Sequence, residues 1–169
     1  MQNSLILASG SPRRRELLSL MGITYQICPA DVDEHMNGAP DEVVMALSRR
    51  KALAVAERHS GCTVLGADTL VACRGEIMGK PQDQQDAMRM LMLLSGGENN
   101  VYTGVTVIDG KTGRVDTRCD QTRVHFVPIT PEAAQRYIDS GEPMDKAGAY
   151  GAQGMGGMFV SAIEGSPSN

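Results

Sequence analysis

Three consecutive arginines, Arg13, Arg14 and Arg15, follow Ser9-Gly10-Ser11-Pro12 directly after the apolar run Leu5-Ile-Leu-Ala8. That order predicts a buried strand running through a tight turn into a helix, with Ser11 as N-cap and Pro12 at the first helical position. Unpaired amides and the positive end of the helix dipole favour an anion there, and guanidinium groups suit a phosphate. Ser9, Ser11, Arg13 and Arg14 are therefore candidate phosphate ligands.

Carboxylates and lysines supply a second kind of chemistry. Asp68 follows the apolar Val64-Leu65-Gly66-Ala67, at the end of a strand where α/β proteins collect ligands, and is a candidate metal ligand or base. Glu34 closes the acidic run Asp31-Val-Asp-Glu34. Lys51 falls four residues from both Leu47 and Val55, inside the apolar stripe of its helix, so it needs an anion or must snorkel. Lys80 sits between Gly79 and Pro81, and Lys146, Tyr150 and Gln153 belong to the polar run that begins at Glu142. His35, His59 and His125 have no recognisable partner motif, and a Ser9 or Ser11 nucleophile lacks an identifiable base. A free aspartate, with a pKa of about 3.9, is a feeble base at neutral pH. The set points to metal-assisted attack of water on a phosphate.

The elements that must position these groups are legible from periodicity. Strands are expected over 4–8, 23–28 and 63–73, the last interrupted at Gly66, with Arg74-Gly75 turning it into a partner at 76–78. Helices are expected over 12–21, from Pro40 to about His59 on an apolar stripe of Val43, Val44, Leu47, Leu53, Ala54 and Val55, and over 83–94 and 131–139. Strands at about 99–108 and 114–127 flank a hairpin turn. After Gly141 the chain becomes glycine-dense to Gly157, which suits a loop whose backbone approaches a ligand closely. Strands interleaved with helices give an α/β fold with an antiparallel addition.

Composition sets limits on partners. The net charge of −4 over 169 residues opposes nucleic-acid binding and makes any anionic ligand a small one. Neither a GxxxxGK[ST] loop nor a GxGxxG turn after a strand occurs. Cys28, Cys62, Cys73 and Cys119 fit neither a zinc site nor a disulfide scaffold and are expected to be reduced and mostly buried. No apolar run reaches the roughly 18 residues of a membrane span and no secretion signal opens the chain, so a cytoplasmic protein is expected.

Five motifs in order, Ser-Gly-Ser-Pro-Arg-Arg-x-Glu-Leu-Leu (9–18), Gly-Ala-Asp-Thr (66–69), Gly-Lys-Pro (79–81), Val-Tyr-Thr-Gly-Val (101–105) and Gly-Glu-Pro-x-Asp-Lys-Ala-Gly-Ala-Tyr-Gly-x-Gln-Gly (141–154), resemble the Maf family of nucleoside triphosphate pyrophosphatases. The resemblance implies a mixed central sheet flanked by helices, with two lobes around a cleft as in inosine triphosphate pyrophosphatases, and a homodimer. It implies hydrolysis of a nucleoside triphosphate to the monophosphate and pyrophosphate with a divalent metal. The last motif resembles the branch acting on dTTP and UTP. The alternatives are the same reaction on a modified purine nucleotide such as 7-methyl-GTP, or a nucleotide sensor affecting septum formation.

Carried over by position, Asp68 would accept the proton, Glu34 would bind metal or orient water, and Arg13, Lys51 and Lys80 would hold the triphosphate. Arg13, Thr69 and Gln153 match positions linked with substrate choice, and Gln153 suits the imide edge of uracil or thymine, which an amide can meet as donor and acceptor. Two departures stand out. Asn99 occupies the place of a usual histidine, and the chain stops at Ser166-Pro-Ser-Asn169 where the family pattern continues. The expectation is one domain over 1–169 without the family's C-terminal segment: the favoured explanation is that the sequence is a fragment of a longer one, and lowered stability or an altered dimer is expected only if no further segment follows.

Overall fold

The computed structural model describes residues 4–169. Seven strands form one mixed sheet, in the order β2-β1-β3-β5-β6-β7 with β4 paired to β3. The strands are β1 (Leu5–Leu7), β2 (Tyr25–Ile27), β3 (Thr63–Cys73), β4 (Glu76–Met78), β5 (Glu98–Ile108), β6 (Val115–Phe126) and β7 (Val160–Glu164). The helices are α1 (Pro12–Leu20), α2 (Pro40–Ala56), α3 (Gln84–Leu94) and α4 (Pro131–Asp139). β1 runs parallel to both β2 and β3, whereas β4 and β7 add antiparallel pairs. The α/β expectation and its antiparallel addition hold.

The chain divides into two compact units, Met1–Asp68 with Thr103–Cys119, and Thr69–Tyr102 with Asp120–Asn169. The first unit is built on Ile6, Ala8, Ala52, Val55, Val64 and Ile108. Here β3 is continuous through Gly66 rather than interrupted. A Cβ on Gly66 would lie 2.4 Å from the Ser48 carbonyl oxygen, and one on Gly104 would lie 2.2 Å from that of Val44. Both glycines let α2 press its backbone onto the strands. Leu53, placed in the apolar stripe by spacing, is exposed, and the buried face of α2 instead takes in Ser48 and Lys51. Ser48 shares a hydroxyl hydrogen bond with Thr106 at 2.8 Å, so that burial leaves it satisfied.

The second unit packs α3 and α4 around Leu91, Leu94, Phe126, Tyr137 and Phe159. Its aromatic rings meet edge to face, Phe126 on Tyr150 with centroids 4.7 Å apart and Tyr137 on Phe159 at 5.4 Å. The methionines behave as packing: Met90 is buried in α3, with Met88 and Met92 against the same core. The glycine-dense run folds into three short 3-10 turns, Glu142–Asp145, Ala147–Ala149 and Met155–Phe159, and then into β7, a strand that the sequence reading missed. All four cysteines are free, but only Cys73 is buried, which corrects the expectation of mostly buried thiols. No helix among the described residues is long and apolar enough to cross a membrane.

Candidate functional site

Lys51 resolves the choice between snorkelling and pairing. Only 11% of its side chain is exposed, and its Nζ donates to Asp68 Oδ1 at 2.6 Å and lies 2.9 Å from Glu34 Oε1. Helix α2 carries the ammonium, the loop before α2 brings Glu34, and β3 delivers Asp68 from its middle rather than from the strand end expected from the sequence. Asp68 is almost as buried as the lysine, with 10% of its side chain exposed, whereas Glu34 keeps 59% exposure. One carboxylate is thus fixed in the interior and the other stands at the solvent side of the same cation.

The turn from β1 into α1 joins this cluster through the second arginine. Arg14 Nη1 donates to Ser9 Oγ at 2.9 Å, and the Ser11 amide donates to the same oxygen at 3.2 Å. Burial lowers the Arg14 pKa below its ordinary value, and the negative charges of Asp68 and Glu34 oppose that shift. Those two carboxylates therefore act on Arg14 electrostatically, and the guanidinium stays charged. Ser11 does occupy the N-cap position, yet its side chain makes no capping bond; the serine that matters locally is Ser9. Arg13 turns its Nη1 to Glu16 at 2.9 Å, while its Nε is buried without a hydrogen-bond partner.

The remaining candidates belong to the second unit. Lys80 is exposed and Thr69 half-buried. Lys146 Nζ donates to the Glu142 carbonyl at 3.0 Å and to Asp145 Oδ1 at 2.7 Å. Gln153 is exposed and donates from Nε2 to the Pro167 carbonyl at 2.7 Å. Tyr150 is buried, with its hydroxyl donated to Asn99 Oδ1 at 2.9 Å. Asn99, fully buried, donates in turn to the Val124 carbonyl at 3.3 Å. The residue in place of the usual histidine is thereby a satisfied core amide.

Two residues with a part in these arrangements were given no role by the sequence: Arg50 carried no signal, and Glu142 stood in the 141–154 motif without a role. Arg50 Nη1 donates to the Asp33 carbonyl at 2.5 Å, which ties the loop bearing Glu34 to the helix bearing Lys51. Glu142 gathers main-chain amides of the glycine-rich run. Spacing does not mark either, because most of their hydrogen bonds are to backbone atoms, which every residue possesses.

The donor set suits a hard divalent cation in part. Among the described residues no group of three or more His, Cys, Asp or Glu side chains is placed to hold a metal. Two carboxylates already converge on one positive charge, however, and an ion such as Mg2+ is commonly held by one or two carboxylates completed by water and substrate phosphate oxygens. Glu34 and Asp68 fit that pattern.

Comparison with known proteins adds to this geometry. The family described as Maf-like protein matches residues 4–169. A dTTP/UTP pyrophosphatase from Bacillus cereus is 47% identical over 163 residues, which cover 95% of this chain and 84% of that protein. One of the same description from Bacillus thuringiensis subsp. konkukian is 46% identical with the same coverage. Among solved structures, the Staphylococcus aureus Ham1 protein covers 73% of this chain and 72% of its own at 12% identity, with a TM-score of 0.46.

Proposed function

This chain belongs to the Maf family, and from that premise and the cluster around Lys51 we propose that it hydrolyses dTTP and UTP to the monophosphate and pyrophosphate. The observation that carries the reading is the Lys51 ammonium held between the Asp68 and Glu34 carboxylates, with Arg14 and Ser9 beside them. A water molecule attacks the α-phosphorus, the bond to the bridging oxygen of the β-phosphate breaks, pyrophosphate leaves, and the proton of the water passes to Asp68. Lys51 holds Asp68 in place and offsets its buried charge. Arg14, the amides at the start of α1 and Arg13 meet the negative charge that builds up on the phosphate oxygens, which is the larger part of catalysis in phosphoryl transfer. A divalent ion at Glu34 and Asp68 would acidify the attacking water.

The roles of Lys80 on the phosphates, of Lys146 and Tyr150 in substrate binding, and of Thr69 and Gln153 in substrate choice rest on the resemblance. So does action as a homodimer. The test is a panel of nucleoside triphosphates assayed for monophosphate and pyrophosphate, with Mg2+ or Mn2+ and with a chelator. The expected result is metal-dependent pyrophosphate release, fastest with dTTP and UTP, reduced about 10²- to 10⁴-fold in Asp68→Asn. Release of inorganic phosphate and a diphosphate, or equal rates in Asp68→Asn, would overturn it.

A further inference from the structure

The glycine-rich run that carries Gln153 is fastened at both ends to one pair of side chains. Tyr137, fully buried on α4, accepts the Gly151 amide at 3.1 Å on its hydroxyl and donates that hydroxyl to Glu142 Oε1 at 2.9 Å. Glu142 Oε1 also accepts the Gly156 amide at 3.2 Å, and Oε2 accepts the Met155 amide at 2.9 Å. The Gly154 amide closes the turn onto the Gly151 carbonyl at 3.2 Å. Gly154 has no room for a side chain, since a Cβ there would stand 2.4 Å from Glu142 Oε1. A carboxylate offers acceptors only, and here it meets three donors. Ala152 and Gln153 form the tip between the fastened ends.

Gln153 itself is oriented. Its Nε2 donates to the Pro167 carbonyl at 2.7 Å, and a carbonyl can take only the amide nitrogen, so Oε1 is the end left to serve as acceptor. An acceptor fits the N3–H of uracil or thymine and opposes the N3 lone pair of cytosine. We propose that Glu142, working with Tyr137, is a positioning residue for base selection: it fixes the 151–156 loop so that Gln153 presents an acceptor, favouring UTP and dTTP over CTP. This rests on the reading of the chain as a pyrimidine triphosphate pyrophosphatase.

Glu142→Gln keeps the shape but gives up one acceptor, which leaves one of the three donors facing an NH2 group. Gly154→Ala strains the same clamp from the loop side. In each variant the ratio of kcat/KM for UTP to that for CTP is expected to fall roughly tenfold, through KM, with kcat for UTP changed by less than about twofold. Amide hydrogen exchange at Met155 and Gly156 is expected to speed up in Glu142→Gln while exchange in β3 stays at the wild-type rate. Unchanged exchange at those amides, or an unchanged UTP:CTP ratio in both variants, would overturn the proposal. If the wild type turns over neither nucleotide, the enzymatic reading fails by itself, and competition of UTP and CTP for binding, read with the exchange data, still decides the role of Glu142.

Discussion

Two carboxylate clusters, one in each compact unit, are satisfied in opposite ways. In the first, Asp68 and Glu34 share the ammonium of Lys51, charge against charge, with Arg14 close enough to feel both. In the second, Glu142 is met by two main-chain amides and a tyrosine hydroxyl. A side chain held by another side chain can release it to a ligand at modest geometric cost. A carboxylate that ties backbone cannot let go without moving the loop. The first arrangement is suited to chemistry and the second to architecture, and both stand next to motifs that resemblance alone would have ranked equally.

The sharpest way to break this contrast is to remove the shared cation. Lys51→Met leaves Asp68 buried without its partner, while Glu34 can turn to water. Breaking one side of such a buried pair is expected to cost about 3 kcal/mol, read as a lower urea midpoint at unchanged slope. Adding Asp68→Asn to Lys51→Met should restore part of the loss, because the interior carboxylate that lost its ammonium is then neutral. If Lys51→Met alone unfolds like the wild type, the ammonium is not what makes the interior carboxylate tolerable, and the two clusters differ less than described.

Much of this was legible in the sequence, and the reason is the reach of each signal. Lys51 announced itself because a cation in the apolar stripe of α2 breaks the helical period, and its four-residue spacing from Leu47 and Val55 required a local answer. Asp68 was visible as the polar residue after an apolar run, although β3 continues past it to Cys73. Which anions answer Lys51 was not visible, since Asp68 and Glu34 lie 17 residues to either side of it and only the fold brings them together. Gly66 was read as a break because sequence shows a missing side chain but not the helix backbone that fills its place. β7 escaped notice because Val160–Glu164 is short and follows a run of turns. The emphasis on Arg13 over Arg14 came from resemblance, and only the structure shows that the second arginine bonds Ser9.

A second test stays within the architectural unit. Asn99 is fully buried, and its amide joins the Tyr150 hydroxyl to the Val124 carbonyl across β6. Burial raises the Tyr150 hydroxyl pKa beyond any physiological range, partly opposed by the bond to Asn99, so the phenol stays neutral and needs an acceptor. Asn99→Ala should destabilise by about 1–3 kcal/mol by stranding those two groups, while pyrophosphate release by the folded fraction keeps its pH profile. A changed pH profile would move Asn99 out of the core role and into the chemistry.

The smallest expected effect concerns acid, and it bears directly on the contrast between the two clusters. Burial pushes the Glu142 carboxyl upward, but the Met155 and Gly156 amides, the Tyr137 hydroxyl and the nearby Lys146 outweigh it, so that the pKa lies below the ordinary 4.5. A folded-state pKa below the unfolded one means that the unfolded chain takes up protons first as the pH falls. The contribution of Glu142 to stability is therefore complete above the ordinary value and is lost as the pH drops through its lower folded value. Measured as Tm from about pH 6 to about pH 3, Glu142→Gln should start lower than the wild type and fall less steeply, the two curves converging in acid. Asp33, Asp86 and Asp109 are also held below their ordinary range by hydrogen bonds, so the variant keeps an acid slope of its own. Curves that remain parallel down to the lowest pH would mean that the main-chain amides hold Glu142 no more firmly when it is ionised than when it is neutral, which would remove the reason for treating it as a clamp.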